Sequence, residues 1–125
     1  MIALDTHVVV WLHAGETSLF PKLARQRLNE EDALICPLVA LELEYLYEIE
    51  RIAFPADTIL ADLATDIGLR VCDRPFAPTL RESLKQKWTR DPFDRIISAH
   101  ATVHNLDLLT KDKILHDHCE RAFWK

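Results

Sequence analysis

Glycine is almost missing from this sequence: the 125 residues hold two, Gly15 and Gly68. Nucleotide-cofactor sites need glycine clusters so that backbone N–H groups can approach a phosphate, and the scarcity argues against a dinucleotide or P-loop enzyme. Cysteine is also sparse. Cys36, Cys72 and Cys119 make neither an even disulfide framework nor a C-x-x-C pair, which points to a reducing cytoplasm and to three small buried hydrophobes. Long apolar runs are absent as well. The longest, Val8 to Leu12, falls far below the roughly 20 residues that cross a bilayer, and the start Met1-Ile2-Ala3-Leu4-Asp5 lacks the basic region of a signal peptide. A cytoplasmic protein with no membrane partner is expected.

An excess of basic residues is missing too. Asp and Glu number 20 against 15 Lys and Arg, for a net charge of −5, which disfavours a duplex-DNA binder held by charge alone. The sign is unevenly spread, however. Residues 1–62 carry 11 acids and 4 bases, and residues 63–125 carry 9 acids and 11 bases. The second half suits either a face turned to a polyanion or an ordinary solvated helix face.

What is present is a core. Hydrophobic residues make up 49% of the chain, enough to fill one domain spanning 1–125. Ile2-Ala3-Leu4 reads as a buried strand followed by a helix from Thr6 to Ala14, and Ala33-Leu34-Ile35-Cys36 as a second strand before a helix that Pro37 opens and that runs to about Arg51. Leu19 to Asn29 has the pattern of a surface helix. Pro55 opens another, to Ile67, closed by Gly68, and Leu69 to Cys72 makes a third strand. After Pro75, Pro78 and the basic segment Leu80 to Trp88, Asp91-Pro92 begins a further helix. Leu106 to Leu109 is the next strand, with a short helix after Lys111. The alternation predicts an α/β fold, a central, mainly parallel sheet of four to five strands between two helical layers.

Ligands of such sheets sit beyond the carboxyl ends of the strands. Asp5 ends strand one, Asp112 lies just past the fourth strand, Asp94 falls in the first turn of the helix opened by Asp91-Pro92, and Glu42 is near the start of the helix after strand two. Glu42 lies on the apolar stripe of Leu38, Val39, Tyr45, Leu46 and Ile49, while Glu44 and Glu48 share the opposite, solvated face. A carboxylate there needs a compensating cation or a route to water or an Arg. Taken singly, Asp5 fits a turn, Asp112 a helix cap, and Asp94 the N3 position behind an Asp91 N-cap. Taken together, four carboxylates converge on one edge. Like charges about 4 Å apart repel by roughly 4 kcal/mol at an effective dielectric near 20, so such a cluster takes up protons or holds cations. Oxygen donors alone select Mg²⁺ or Mn²⁺, ions suited to phosphodiester hydrolysis.

These segments resemble PIN-domain proteins, specifically the single-domain VapC-like toxins of bacterial toxin–antitoxin pairs. The matching stretches are Leu4-Asp5-Thr6-His7, Ile35-Cys36-Pro37 leading to Glu42-Leu43, Arg90-Asp91-Pro92-Phe93-Asp94-Arg95 with Ala99 and Ala101 behind it, and Leu109-Thr110-Lys111-Asp112. The resemblance implies a PIN-like three-layer α/β/α sandwich and a metal-dependent endoribonuclease whose acidic set is Asp5, Glu42, Asp94 and Asp112. It makes Asp5 and Asp94 the firmest ligands of Mg²⁺, for which Mn²⁺ can substitute. It further implies supporting roles for Thr6, Thr110 and Asp91, phosphate contacts from Arg95, Arg90 and Lys111, a homodimer, and a small antitoxin as partner. Cys36 departs from the pattern, since many relatives carry Ser at that helix start.

Other readings fit less well. His100 and His104 are spaced as a helical zinc pair, but His-Ala-Thr-Val-His lacks the glutamate a zinc peptidase uses as base, and surface or semi-buried histidines are expected. His7 either packs or meets substrate. A phosphoacceptor receiver domain needs an acid pair after strand one, where Asp5 stands alone, and a haloacid-type phosphatase needs Asp-x-Asp, which Asp5-Thr6-His7 does not supply. An inactive PIN-fold interaction module is the remaining alternative.

Overall fold

Ile2-Ala3-Leu4 and Ala33-Leu34-Ile35 are apolar at every position, a pattern stable only where both faces of a sheet are covered. A computed structural model describing Met1–Lys125 places them at the sheet centre, as β1 (Ile2–Leu4) and β2 (Ala33–Ile35), with all six residues buried. β3 (Arg70–Val71), β4 (Asp107–Leu109) and β5 (Ala122–Phe123) complete a five-stranded sheet of order β3-β2-β1-β4-β5 in which every neighbouring pair is parallel. The helices are α1 (Thr6–Ala14), α2 (Lys22–Glu30), α3 (Pro37–Glu48), α4 (Ala56–Ile67), α5 (Ala77–Ser83), α6 (Pro92–Val103) and α7 (Lys113–His118). The expected α/β/α sandwich is the fold found. None of the helices is long and apolar enough to cross a membrane.

Strand order matters for the site. From β1 the chain proceeds to β2 on one side and later returns to β4 on the other, so the β1/β4 seam is where the direction of winding reverses. A crevice opens at such a switch point, beyond the carboxyl ends of the two strands. Asp5 follows β1 and Thr110 follows β4, joined across the seam by the Asp5 N–H donating to the Leu109 carbonyl at 3.1 Å.

Local chemistry explains where the elements differ from the pattern reading. The helix expected to reach Arg51 stops at Glu48, because Glu50 takes a left-handed backbone (φ 61°). The Leu19–Asn29 helix begins only at Lys22, and Leu19 lies exposed in a preceding 3₁₀ turn. Pro75 and Pro78 suggested an irregular segment, yet Pro78 is tolerated in the first turn of α5, where its missing N–H has no helical acceptor to lose. Glu44 is not a solvated surface acid. Its Oε1 accepts the Ala56 N–H at 3.1 Å and so caps α4. All three cysteines are free and buried, and burial pushes the Cys36 thiol up to about 12.

One apolar cluster of 25 buried residues runs from β1, β2 and β4 into α1, α3, α4 and α6. At the end of α4, Gly68 closes the helix in the left-handed region (φ 70°), with its N–H donating to Ala64 and Leu63 carbonyls. A Cβ there would meet nothing within 4 Å, so the backbone conformation alone sets the cost. Gly68→Ala is expected to lower stability by about 1 kcal/mol and Gly68→Asn by less, measured by urea denaturation.

Candidate active site

Asp5 is 4% exposed, and burial of a carboxylate demands partners for both oxygens. Oδ1 accepts the Thr6 N–H at 2.8 Å, which makes Asp5 the N-cap of α1, and Oδ2 accepts the Thr110 hydroxyl at 2.7 Å. Thr110 is fully buried and its oxygen also accepts the Asp112 N–H at 3.0 Å. One hydroxyl therefore fixes the first acid and the backbone of the fourth. Asp112 in turn caps α7, accepting from Ile114 and Leu115 N–H groups.

The second acid is tied in from the other side. The Thr6 hydroxyl donates to Glu42 Oε1, so Thr6 links α1 to α3 as Thr110 links β4 to β1. Glu42 is half-buried, and its carboxyl is raised, by burial first and by repulsion from Asp5 and Asp91, against the opposing bond from Thr6. Asp91 caps α6 through the Phe93 and Asp94 N–H groups, as expected from Asp91-Pro92. That cap orients the first turn, where Asp94 stands. Burial and then the charges of Asp91, Asp5, Asp112 and Glu42 push the Asp94 carboxyl up to about 7. The charges of Asp5, Asp112 and Glu42 all reach Asp94, in keeping with four acids facing the carboxyl edge of the sheet.

No lysine or arginine forms an ion pair with any of the four. The nearest basic side chain is His7, whose Nδ1 lies 3.4 Å from Asp5 Oδ2. His7 Nε2 accepts the Lys111 N–H at 3.0 Å, which leaves the ring proton on Nδ1, facing the carboxylate. Its pKa is lowered, burial outweighing the pull of Asp5 and Asp112, so His7 is a neutral clasp between the β1 and β4 loops and not a counter-charge. His7 is the positioning residue that pattern alone left undecided; the only trace in the sequence is its place two residues after Asp5. Trp11 packs edge-on to the His7 ring, 4.9 Å between centroids, and carries Lys111 Nζ 5.8 Å over its own face. His116 Nε2 holds the Thr110 carbonyl at 2.6 Å.

The basic residues divide. The Arg95 guanidinium donates to the Ser83 carbonyl at 3.0 and 3.1 Å and to that of Leu84 at 3.5 Å, hooking α5 onto α6. That use comes before any phosphate contact. Arg90 is exposed, bonded only to the Lys87 carbonyl at 3.3 Å, and lines a groove of about 260 Å³ with Arg95, Ser83, Leu84, Pro92 and Ile96. Lys111 is exposed beside the pocket. His100 and His104 stand farther along α6, outside the pocket. His100 is not surface or semi-buried as expected but fully buried, 1% exposed, its pKa held down to about 4 by burial, then by His104 and Arg74. His104 is half-buried and lowered for the same first reason and by Arg74.

The donor set suits a hard divalent cation. It consists of carboxylate oxygens that no lysine or arginine pairs, and burial first, then their mutual repulsion, raises the Asp94 carboxyl. Asp94 also gives a stability test. Its native pKa lies above its ordinary 3.8, so its contribution is fully present below that value and is lost as pH rises toward 7. Asp94→Asn in chelator is therefore expected to be more stable than the native chain by roughly 1–2 kcal/mol at pH 8, and by less at pH 5, in urea melts. Thr110→Val leaves Asp5 Oδ2 and the Asp112 N–H without their shared partner and should cost about 1–3 kcal/mol, with Thr110→Ser restoring most of it.

Comparison with known proteins places the chain in a family. Residues 2–120 match the family model described as PIN domain. The chain is 33% identical over 120 residues to Ribonuclease VapC22 of Mycobacterium tuberculosis, covering 94% of this chain and 91% of that protein. Its fold matches the crystal structure of VapBC2 from Rickettsia felis bound to a DNA fragment from their promoter, with a TM-score of 0.67 over all of both chains at 18% identity; at that identity the likeness is one of fold. With the family model spanning nearly the whole chain, this protein belongs to the PIN domain family.

Proposed function

We propose that this chain is a metal-dependent endoribonuclease that cuts RNA phosphodiester bonds as the toxin of a toxin–antitoxin pair. The observation that carries the reading is the pocket of four carboxylates, free of lysine and arginine partners, at the β1/β4 switch point. The ribonuclease name of the VapC22 relative and the toxin–antitoxin complex of the Rickettsia structure support the same class. Asp5 and Asp94 are the principal ligands for Mg²⁺, or Mn²⁺ in its place, with Glu42 and Asp112 completing the set. The bound cation supplies Lewis-acid activation of water and stabilisation of the leaving oxygen.

The protein's own residues do the rest. Thr110 and Thr6 hold Asp5 and Glu42 in one orientation, so the oxygens need not be reorganised when substrate arrives. Asp91 keeps the first turn of α6 wound under Asp94. Arg90 and Lys111, both exposed, are placed to meet the phosphates flanking the cut, and Arg95 contributes to that groove while it fastens α5. One domain spanning 1–125 carries the activity, in the cytoplasm, as a homodimer that a small antitoxin silences. Against the receiver reading, Asp5 has no second acid beside it: Thr6 follows and spends its hydroxyl on Glu42.

The test is cleavage of a single-stranded RNA by the purified chain with Mn²⁺, with Mg²⁺ and with chelator. Asp5→Asn and Asp94→Asn should each reduce the metal-dependent rate at least 100-fold while the circular dichroism spectrum stays native. Full activity in either variant, or metal-dependent uptake of acetyl phosphate without RNA cleavage, overturns the assignment. Growth arrest on expression, relieved by Asp5→Asn, tests the toxin role.

A further inference from the structure

We propose that Cys72, His100 and His104 form a second metal site, built for Zn²⁺ and separate from the acidic pocket. They are the one group of three or more potential donors whose ligand atoms all lie within 4.8 Å of one another. Their placement follows from the fold. Cys72 comes directly after β3, pinned by its N–H donating to the Ile35 carbonyl at 2.9 Å, and its side chain is buried. His100, in the last turn of α6, and His104, its C-cap, are four residues apart, their rings 4.9 Å between centroids and tilted by 68°.

A second observation singles these side chains out. Both ring nitrogens of His100, 1% exposed, are buried with no hydrogen-bond partner, and so is Nε2 of His104. A buried polar atom left without a partner costs on the order of 1–3 kcal/mol, and a neutral imidazole always offers one lone pair in the ring plane. Two such lone pairs beside a thiol make a donor set for a metal ion. A tetrahedral Zn²⁺ with Zn–S of about 2.3 Å and Zn–N of about 2.0–2.1 Å holds its ligand atoms roughly 3.3–3.6 Å apart. From separations of up to 4.8 Å the three donors need to close by at most roughly 1.2–1.5 Å to meet those distances, within reach of side-chain rotation.

Donor chemistry separates the two sites. One thiolate and two imidazoles form a soft to borderline set that favours Zn²⁺ over Mg²⁺, whereas the carboxylate pocket has the opposite preference. On binding, the Cys72 thiol loses its proton to solvent and the thiolate bonds the ion, so net charge at the site rises by one. Arg74, which donates to the His104 carbonyl at 3.3 Å and to Met1 Sδ at 3.7 Å, is exposed. Three protein donors leave the fourth position for water on the side of half-buried His104. The ion would clip the end of β3 to the C-terminal half of α6. The inference does not depend on the ribonuclease reading.

The experiment uses the full chain, reduced and stripped with chelator, titrated with Co²⁺ as a visible probe and then with Zn²⁺. One equivalent of Co²⁺ should give tetrahedral visible bands with a thiolate-to-cobalt charge-transfer band, both erased by one equivalent of Zn²⁺. Cys72→Ser should lose the charge-transfer band, and His104→Gln, at a half-exposed position, should weaken Zn²⁺ binding at least tenfold. Asp5→Asn with Asp94→Asn should change neither. A native chain without the charge-transfer band, a band that survives Cys72→Ser, or binding lost only with the acidic pair overturns the proposal. Should Cys72→Ser fail to fold, His104→Gln decides the matter, because unchanged affinity there also overturns it.

Discussion

The hydrogen bond from the Thr110 hydroxyl to Asp5 Oδ2 is the contact on which the pocket depends. It spans 105 positions of sequence and closes the seam where strand order reverses. Both partners are buried, so the bond exchanges little with water and losing it strands a charged acceptor. Everything nearby is referred to it. Thr110 oxygen receives the Asp112 N–H, His7 clasps the Lys111 backbone and faces the same Asp5 oxygen, and Thr6, whose own N–H fills the other Asp5 oxygen, reaches across to Glu42. Three segments distant in sequence are thereby fixed by mutually dependent bonds, the kind of network in which one deletion is felt by every member.

A pocket of like charges needs something to hold it together in the absence of a cation, and the helices provide it. Asp5, Asp91 and Asp112 are the N-caps of α1, α6 and α7, and each accepts backbone N–H groups at the positive end of a helix dipole. Three of the five acids around the pocket are thus compensated locally. Glu42 and Asp94 are not caps, and they are the two whose carboxyls are raised. Without a cation, proton uptake at these two relieves the repulsion in the site. The fold tolerates this destabilised pair, as expected where a site is shaped for a ligand more than for stability.

The sheet and the acids were legible because their signals are local. All-apolar triplets at Ile2–Leu4 and Ala33–Ile35 state their burial outright, and an acid immediately after such a triplet can only lie at its carboxyl edge. Glu42 was legible through misplacement on an apolar stripe. Glu44 was misread by the same logic, because its cap partner Ala56 belongs to the next helix and a helical wheel knows nothing of neighbours. His7 was left undecided, and the structural use of Arg95 was missed, for a similar reason. Their partners, the Lys111 N–H and the Ser83 carbonyl, are backbone groups, which leave no mark in composition. α5 hid behind Pro78, whose position in the first turn is permitted by geometry that only the fold reveals.

α6 carries the most chemistry of any element, arranged along its length by hardness of donor. Asp91 and Asp94 occupy its first turn, and His100 stands six residues on, about 9 Å farther along the axis. A helix of three turns transmits orientation as a rigid rod, so whatever fixes its far end also fixes the approach of Asp94 to Asp5. The N-terminal end is secured by the Asp91 cap and the Arg95 hook to α5. The opposite end has Arg74 on the His104 carbonyl, exposed, and a cluster of imidazole nitrogens with no partner at all. Buried apolar packing through Ile97 and Ala101 keeps the helix on the sheet, but apolar contacts resist sliding far less than directional bonds do. A thiolate and two imidazoles on a common ion would add a further directional constraint at that end.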